Sequence, residues 1–138
     1  MTDQYLMDAC ALIAYINDED GADVVDDILT RTYSGNATVS MSMVNLLEVY
    51  YGVLRDFGKD KAEEVLNETL SLPISIVSDL SIDALKEAGR LKASYKMSIA
   101  DSIALSIASV SGYIIVTADH HEMDSIEQGE PIKFHWIR

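Results

Sequence analysis

Short runs of apolar residues alternate along this chain with longer segments in which apolar residues recur every three or four positions. The short runs are typical of buried strands, and the longer spacing is typical of helices with one face against a core. Ser, Gly and Pro at the boundaries supply helix caps and stops. The pattern predicts strands at 4–7, 37–41, 74–77, 113–117 and 132–136, and helices at 11–16, about 22–33, 44–54, 59–71, 82–95 and 98–111.

This alternation of strands and helices predicts an α/β fold, a three-layer α/β/α sandwich around a mostly parallel four- to five-stranded sheet. The run 113–117 is apolar almost throughout, as in a strand buried on both faces. Residues 132–136 follow Pro131 and predict an edge strand, and a polar loop is expected between Asp119 and this strand. No linker or repeat interrupts the chain, so we expect a single domain over residues 1–138.

The helix at 98–111 is apolar or small on every side and carries one carboxylate, Asp101. A helix of this kind is normally buried, and a buried carboxylate is usually paired, bound to a metal or protonated. Ser98 offers a purely structural interpretation, because it can cap the helix and place Asp101 in the capping-box position. The other acids of the chain decide between these interpretations.

Three further acids stand at the edges of apolar segments. Asp8 ends the first strand, Asp119 follows the strand at 113–117, and Glu48 is the one charge in an apolar helical run. Ligands of open α/β sheets bind beyond the carboxyl ends of the strands, where the helices that follow also begin. We therefore expect Asp8, Glu48, Asp101 and Asp119 to converge at one edge of the sheet.

Mutual repulsion among these carboxylates indicates a bound cation. Two like charges about 4 Å apart repel by roughly 4 kcal/mol at an effective dielectric constant near 20, so four such groups require protonation or a cation among them. A site of oxygen ligands alone suits Mg²⁺ or Mn²⁺, and such ions organise the attack of water on a phosphodiester. The residues thus predict metal-dependent phosphodiester hydrolysis.

Composition narrows the classes of partner. The 138 residues are 49% hydrophobic and 24% charged, which argues against disorder, and the net charge of −13 argues against a general phosphate-binding surface. The single Cys excludes an internal disulfide, no apolar run has membrane-spanning length, and Asp3 stands where a signal peptide carries basic residues. We expect a cytoplasmic protein without a membrane partner.

Four segments resemble the acidic motifs of PIN domains, and their order and the chain length resemble the VapC-type toxins of toxin–antitoxin pairs. The segments are Asp8-Ala9-Cys10-Ala11-Leu12, Asn45-Leu46-Leu47-Glu48-Val49, Ser98-Ile99-Ala100-Asp101-Ser102-Ile103-Ala104 and Thr117-Ala118-Asp119.

The resemblance implies a ribonuclease dependent on Mg²⁺ or Mn²⁺, often a homodimer, silenced by a cognate antitoxin whose tail fills the active-site groove. Asp8, Glu48, Asp101 and Asp119 would then bind the metal and activate water, and Thr117 would match a hydroxyl position beside the last acid. Cys10 departs from the pattern, since the family frequently has Ser or Thr there. A thiol hydrogen-bonds poorly, so we expect no active-site role for Cys10.

Secondary candidates lie around these motifs. Asn45 is one turn before Glu48 and could orient its carboxylate, or it could bond the backbone instead. Glu122 and Asp124 are expected in the solvated loop, and adjacent histidines at 120 and 121 lack further ligands at zinc-binding spacing. One strip of basic residues covers half of the helix before Asp101 and is either a solvated face or a docking strip for RNA phosphates; it comprises Lys86, Arg90, Lys92 and Lys96.

Three other functions remain open as alternatives. A phosphatase of the haloacid dehalogenase type also begins with an Asp after its first strand, but it needs an acid two residues later, where this chain has Cys10. A phosphorelay receiver domain could use Asp79, but it would leave Glu48 and Asp101 unexplained. A catalytically inactive PIN-like protein-binding module would have no reason to keep four costly acids.

Overall fold

The computed structural model describes residues 2–138, which contain five strands and seven helices. The strands are β1 (Asp3–Met7), β2 (Ala37–Ser42), β3 (Ser75–Val77), β4 (Ile114–Thr117) and β5 (Phe134–Trp136). The helices are α1 (Ala9–Ile16), α2 (Ala22–Tyr33), α3 (Met43–Phe57), α4 (Lys59–Leu70), α5 (Ile82–Ser94), α6 (Ile99–Ser111) and α7 (His120–Gly129).

All strands join one sheet in the order β3-β2-β1-β4-β5, and every pairing is parallel. The predicted α/β class is therefore confirmed, with five strands. In the register of β1 and β4, Met7 lies opposite Val116, and the amide of Asp8 donates to the Val116 carbonyl at 3.2 Å. The residues that follow these two strands consequently leave the sheet side by side.

Two buried cores cover the opposite faces of the sheet, because side chains along a strand alternate in direction. Tyr5 and Met7 of β1 pack with residues of α1, α2, α3 and α4, whereas Leu6 packs with residues of α5, α6 and α7. Leu6, Met7 and Ile115 are fully buried at the centre. The structure thus has the three layers that the sequence predicts.

The prediction of a polar loop after Asp119 is wrong, because residues 120–129 form helix α7. Asp119 caps this helix by accepting from the amide of Glu122 at 3.2 Å. Met123 and Ile126 are buried in the core on one side of the helix. Only these two apolar residues anchor an otherwise polar segment, so periodicity gave little signal for it.

The remaining boundaries shift by a few residues. Helix α1 starts at Ala9 because Asp8 caps it, and α3 continues past the predicted end to Phe57, where Gly58 ends it. Within residues 2–138, no helix combines the length and the apolar character needed to cross a membrane.

Candidate active site

Asp8 is the most deeply buried acid of the predicted quartet. It directly follows β1 and caps α1, with its Oδ1 accepting from the Ala11 amide at 2.9 Å, and only 3% of the residue is exposed. Burial raises its pKa from 3.8 to about 7, and the charges of Asp101 and Asp119 add to this, against the opposing hydrogen bonds from Thr117 and Ala11. A charged Asp8 is therefore costly in the folded protein without a cation.

Asp101 lies in the first turn of α6, where its amide donates to the Ser98 hydroxyl at 3.1 Å. The capping interpretation of Ser98 is thus correct as far as the backbone is concerned. Burial raises the pKa of the Asp101 carboxyl to about 6, opposed by its hydrogen bond with Ser98 and assisted by the charges of Glu48, Asp119 and Glu122. Capping and proximity to other acids coexist at this position.

Asp119 follows β4 and combines two local contacts. Its amide donates to the Thr117 hydroxyl at 3.0 Å, and its carboxylate caps α7. Thr117 is completely buried and also supplies a hydrogen bond to Asp8. Thr117 therefore links the two acids that leave the neighbouring strands β1 and β4.

Glu48 is held by Asn45, one turn earlier on α3. The Nδ2 of Asn45 donates to Glu48 Oε1 at 2.8 Å, and Asn45 is 1% exposed. This contact places the nitrogen end of the Asn45 amide toward Glu48. The other end, Asn45 Oδ1, is buried and has no hydrogen-bond partner among the described residues.

A cavity of about 380 Å³ brings these groups together. Among its lining residues are all four acids of the quartet, with Asn45 and Ser98: Asp8, Asn45, Glu48, Ser98, Asp101 and Asp119. Three polar residues that the sequence did not place there line it as well: Cys10, Glu19 and Glu122. Glu122 faces the cavity because α7 is a helix, and a capping pattern at Asp119 could have indicated this.

Cys10 and Asp124 differ in their relation to the cavity. Burial, followed by the charge of Asp8, raises the pKa of the Cys10 thiol, and the positive charge of Arg138 opposes this shift. Asp124 instead lies 2.8 Å from Nδ1 of His120, whose ring stacks on Trp136. Asp124 thus bonds to His120 and does not line the cavity, whereas the Cys10 thiol does.

The donor chemistry of the cavity fits a hard divalent cation. Its acids offer only oxygen ligands, and Asn45 Oδ1, which has no partner among the described residues, is another oxygen donor. Burial is the main cause of the raised pKa values of Asp8 and Asp101, and the charges of neighbouring acids raise them further. Across residues 2–138, no three His, Cys, Asp or Glu side chains are close enough together to hold an ion. The four acids therefore share one cavity, but they do not form a close cluster of ligands among the described residues.

The predicted basic strip is not one free face of a helix, because Lys96 lies beyond Ser94, where α5 ends, and only the other three residues are on the helix. Arg90 pairs with Glu87 and Glu130, and these carboxylates raise the pKa of its guanidinium. Lys92 Nζ donates to the Met97 carbonyl at 2.7 Å, next to the cavity-lining Ser98. Arg90 is therefore already paired with two carboxylates.

Comparisons with known proteins place this architecture in context. A family model described as PIN domain matches residues 5–127. No match was found among curated proteins.

Similar solved structures cover nearly the whole chain. VapBC2 from Rickettsia felis, bound to a DNA fragment of its promoter, has a TM-score of 0.75 and 18% identity over 96% of this chain and 97% of that chain. DNA-bound VapBC from Salmonella typhimurium has a TM-score of 0.75 and 16% identity over 100% of both chains. VapC20 from Mycobacterium tuberculosis, a sarcin–ricin loop cleaving toxin, has a TM-score of 0.63 and 15% identity over 88% of this chain and 94% of that chain. At these identities the likeness establishes a common fold.

Proposed function

This chain belongs to the PIN domain family, and from that premise we propose that it is a metal-dependent endoribonuclease, the toxin of a toxin–antitoxin pair. The observation that carries the proposal is that one cavity is lined by all four acids, Asp8, Glu48, Asp101 and Asp119. A protein whose site had lost its catalytic function would become more stable by replacing such acids, since a buried carboxylate without a partner is costly. Their presence favours an enzyme over an inactive binding module.

The four acids would hold Mg²⁺ or Mn²⁺, which when bound supplies positive charge to activate water and to stabilise the leaving oxygen. The chain itself positions the ligands. Asn45 orients Glu48 through the 2.8 Å hydrogen bond, and Thr117 bonds both Asp8 and the Asp119 amide. Groups that hold metal-binding side chains in this way commonly affect metal affinity or activity 10- to 100-fold, as an order of magnitude.

RNA is the substrate that we propose. The resemblance to VapC-type toxins favours it, as does the fact that VapC20, a structural neighbour, is a sarcin–ricin loop cleaving toxin. Three residues of the basic strip remain candidate contacts for RNA phosphates: Lys86, Lys92 and Lys96. The haloacid dehalogenase alternative is disfavoured by the family match and by Cys10, which lines the cavity where that chemistry needs a second acid.

Cleavage of RNA with and without Mn²⁺ or Mg²⁺ tests the proposed activity. We expect the wild type to cleave RNA only with the metal, and Asp101→Asn to fold normally and lose cleavage. Asp83→Asn is a matched control, because Asp83 is an exposed acid in the first turn of α5 and is not among the cavity-lining residues. A fully active Asp101→Asn would overturn the site, and turnover of small phosphomonoesters would favour a phosphatase.

A cognate antitoxin is the protein partner that we propose. A groove of about 400 Å³ adjoins the acidic cavity through Ile13, which lines both, and its walls are mainly apolar residues of α1, α3 and α4. Phe57 of this groove is 74% exposed. We expect Phe57→Asp to prevent capture of the antitoxin by tagged toxin while RNA cleavage persists; retained capture would place the partner elsewhere.

A homodimer is the assembly that we propose. A second face of α3 exposes Met43, Leu47 and Tyr51, all at least 47% exposed. Apolar residues clustered in this way on a surface are typical of protein interfaces. Leu47→Glu should convert a dimer into a monomer in sedimentation experiments, and a wild type that sediments as a monomer would contradict the assembly.

A further inference from the structure

Arg138 is a cation held by hydrogen bonds at the rim of the acidic cavity. Its Nη1 donates to Oε1 of Glu19 at 3.2 Å and to the carbonyl of Asp20 at 2.8 Å. Glu19 lines the cavity, and the charge of Arg138 is close enough to influence the Cys10 thiol on the cavity wall. Because Arg138 and Glu19 are 119 positions apart in sequence, only the fold brings this cation to the site.

The backbone around Arg138 is held from two sides. The loop before α2 packs on it through Gly21, whose φ is +97° and whose added Cβ would lie 2.7 Å from the Ile137 carbonyl oxygen. From the other side, Nε2 of His120 lies 2.9 Å from the Arg138 carbonyl oxygen, and His120 directly follows Asp119. The guanidinium therefore extends from a fixed position between two elements that border the cavity.

The electrostatics of the cavity create a need for such a group. Six acids line it, namely Asp8, Glu19, Glu48, Asp101, Asp119 and Glu122. This negative field repels the phosphates of an RNA strand on either side of the bond to be cleaved. A guanidinium offers donors in a planar fork that matches a phosphate, and both hydrogen bonds that the Arg138 side chain donates within residues 2–138 use Nη1. Nη2 and Nε remain free to donate.

We propose that Arg138 is a substrate-binding residue that holds an RNA phosphate at the rim of the cavity through Nη2 and Nε. Glu19 keeps the guanidinium in place before the strand arrives. The inference rests on the proposed nuclease function and adds to it a phosphate-binding group. A purely structural ion pair with Glu19 is the competing explanation, and solvent-exposed pairs of this kind contribute little to stability.

Binding of a short single-stranded RNA to the full chain tests the inference. All variants carry Asp101→Asn, so that the RNA is not cleaved, and fluorescence anisotropy is measured over a series of salt concentrations. Removing one phosphate contact lowers the slope of log K against log salt by about 0.7 for a single strand. We expect Arg138→Gln to lose about 0.7 of slope and several-fold in affinity, and Arg138→Lys to keep most of the slope because it keeps the charge.

Two further variants separate binding from structure. Lys133→Gln removes another exposed cation, just before β5 and at the opposite edge of the sheet, and should leave affinity and slope unchanged. Glu19→Gln keeps an oxygen that can accept from Nη1 but removes one of the six acids that repel the strand, so it should strengthen binding. In cleavage assays with Asp101 restored, Arg138→Gln should raise KM for RNA and leave kcat nearly unchanged.

The outcomes distinguish this inference from the proposed function. If the parent variant binds RNA and Arg138→Gln behaves like Lys133→Gln, the phosphate contact is refuted while the nuclease proposal stands. If Arg138→Gln lowers thermal stability without changing the slope, the ion pair is structural and the inference fails. If the wild type neither binds nor cleaves RNA, both proposals fail.

Discussion

Replacing Asp8 by Asn should make the metal-free protein more stable and at the same time weaken its stabilisation by Mn²⁺. The substitution keeps the oxygen that accepts from the Ala11 amide, and Asn is as good a helix cap as Asp. It removes only the charge of a carboxyl that is 3% exposed. A destabilising loss of packing is therefore not expected.

The magnitude follows from the pKa of Asp8, which rises from 3.8 to about 7 in the folded protein. Each pKa unit corresponds to about 1.4 kcal/mol, so the ionised carboxylate costs the folded state up to about 4 kcal/mol once it is fully charged. Part of this cost is relieved by rearrangement, and we expect Asp8→Asn to raise the free energy of unfolding by about 2 to 4 kcal/mol in alkaline, metal-free buffer.

The pH dependence has a definite sign. Between about pH 4 and pH 7 the folded state retains the Asp8 proton that the unfolded state has lost, so the folded state binds more protons. The contribution of Asp8 to the free energy of unfolding therefore falls as pH rises through this window and is constant above it. Asp101, with a pKa of about 6, contributes in the same direction.

Urea denaturation in EDTA and in excess Mn²⁺, at about pH 5 and about pH 8, measures these effects. The free energy of unfolding of the wild type should rise by about 2.7 kcal/mol when free Mn²⁺ is at a hundred times the Kd for Mn²⁺, and that of Asp8→Asn should rise much less. Asp83→Asn should resemble wild type throughout. If Asp8→Asn is no more stable than wild type at pH 8 in EDTA, then the buried charge does not strain the fold and our reasoning about the site is wrong.

Three further substitutions test separate features. Gly21→Ala should lower the free energy of unfolding, measured by urea denaturation, by about 1 to 3 kcal/mol, because φ is +97° and a Cβ would lie 2.7 Å from a backbone oxygen. Gly35→Ala, at φ +83° with no atom within 4 Å of the added Cβ, should lower it less. Leu105→Ala empties a fully buried position on α6 and should lower the free energy of unfolding by about 2 to 5 kcal/mol. Asn45→Leu leaves Glu48 without its donor and should reduce Mn²⁺-dependent cleavage at least about tenfold in a folded protein; unchanged cleavage would deny Asn45 a positioning role.

Local sequence was sufficient to predict the elements that carry the quartet. Asp8 and Asp119 follow strands whose apolar runs are unmistakable, and Asp101 is the one charge in its helix. Parallel strands then place their ends at one sheet edge. The sequence could not give the distances between the carboxylates, because these depend on side-chain rotation and on whether a cation is bound.

The features that sequence analysis missed depend on tertiary contacts. Glu19 stands in an acidic turn that suits the start of α2, and nothing local indicates that it faces the cavity or meets Arg138. Helix α7 is stabilised by burial of Met123 and Ile126, and tertiary burial of two residues overrides a polar composition. The sequence places Arg90 on a basic helix face, but the fold brings Glu130, forty positions away, against its guanidinium.

The order of strands in the sheet has a consequence for biosynthesis. β1 is made first, yet it lies at the centre, and its partner on one side, β4, begins only at Ile114. At elongation rates of about 5 to 20 residues per second, the ribosome needs several seconds to a few tens of seconds to supply that partner. Asp8 and Asp119 cannot meet in a nascent chain before then, so a growing polypeptide carries no assembled acidic centre until Asp119 has been synthesised.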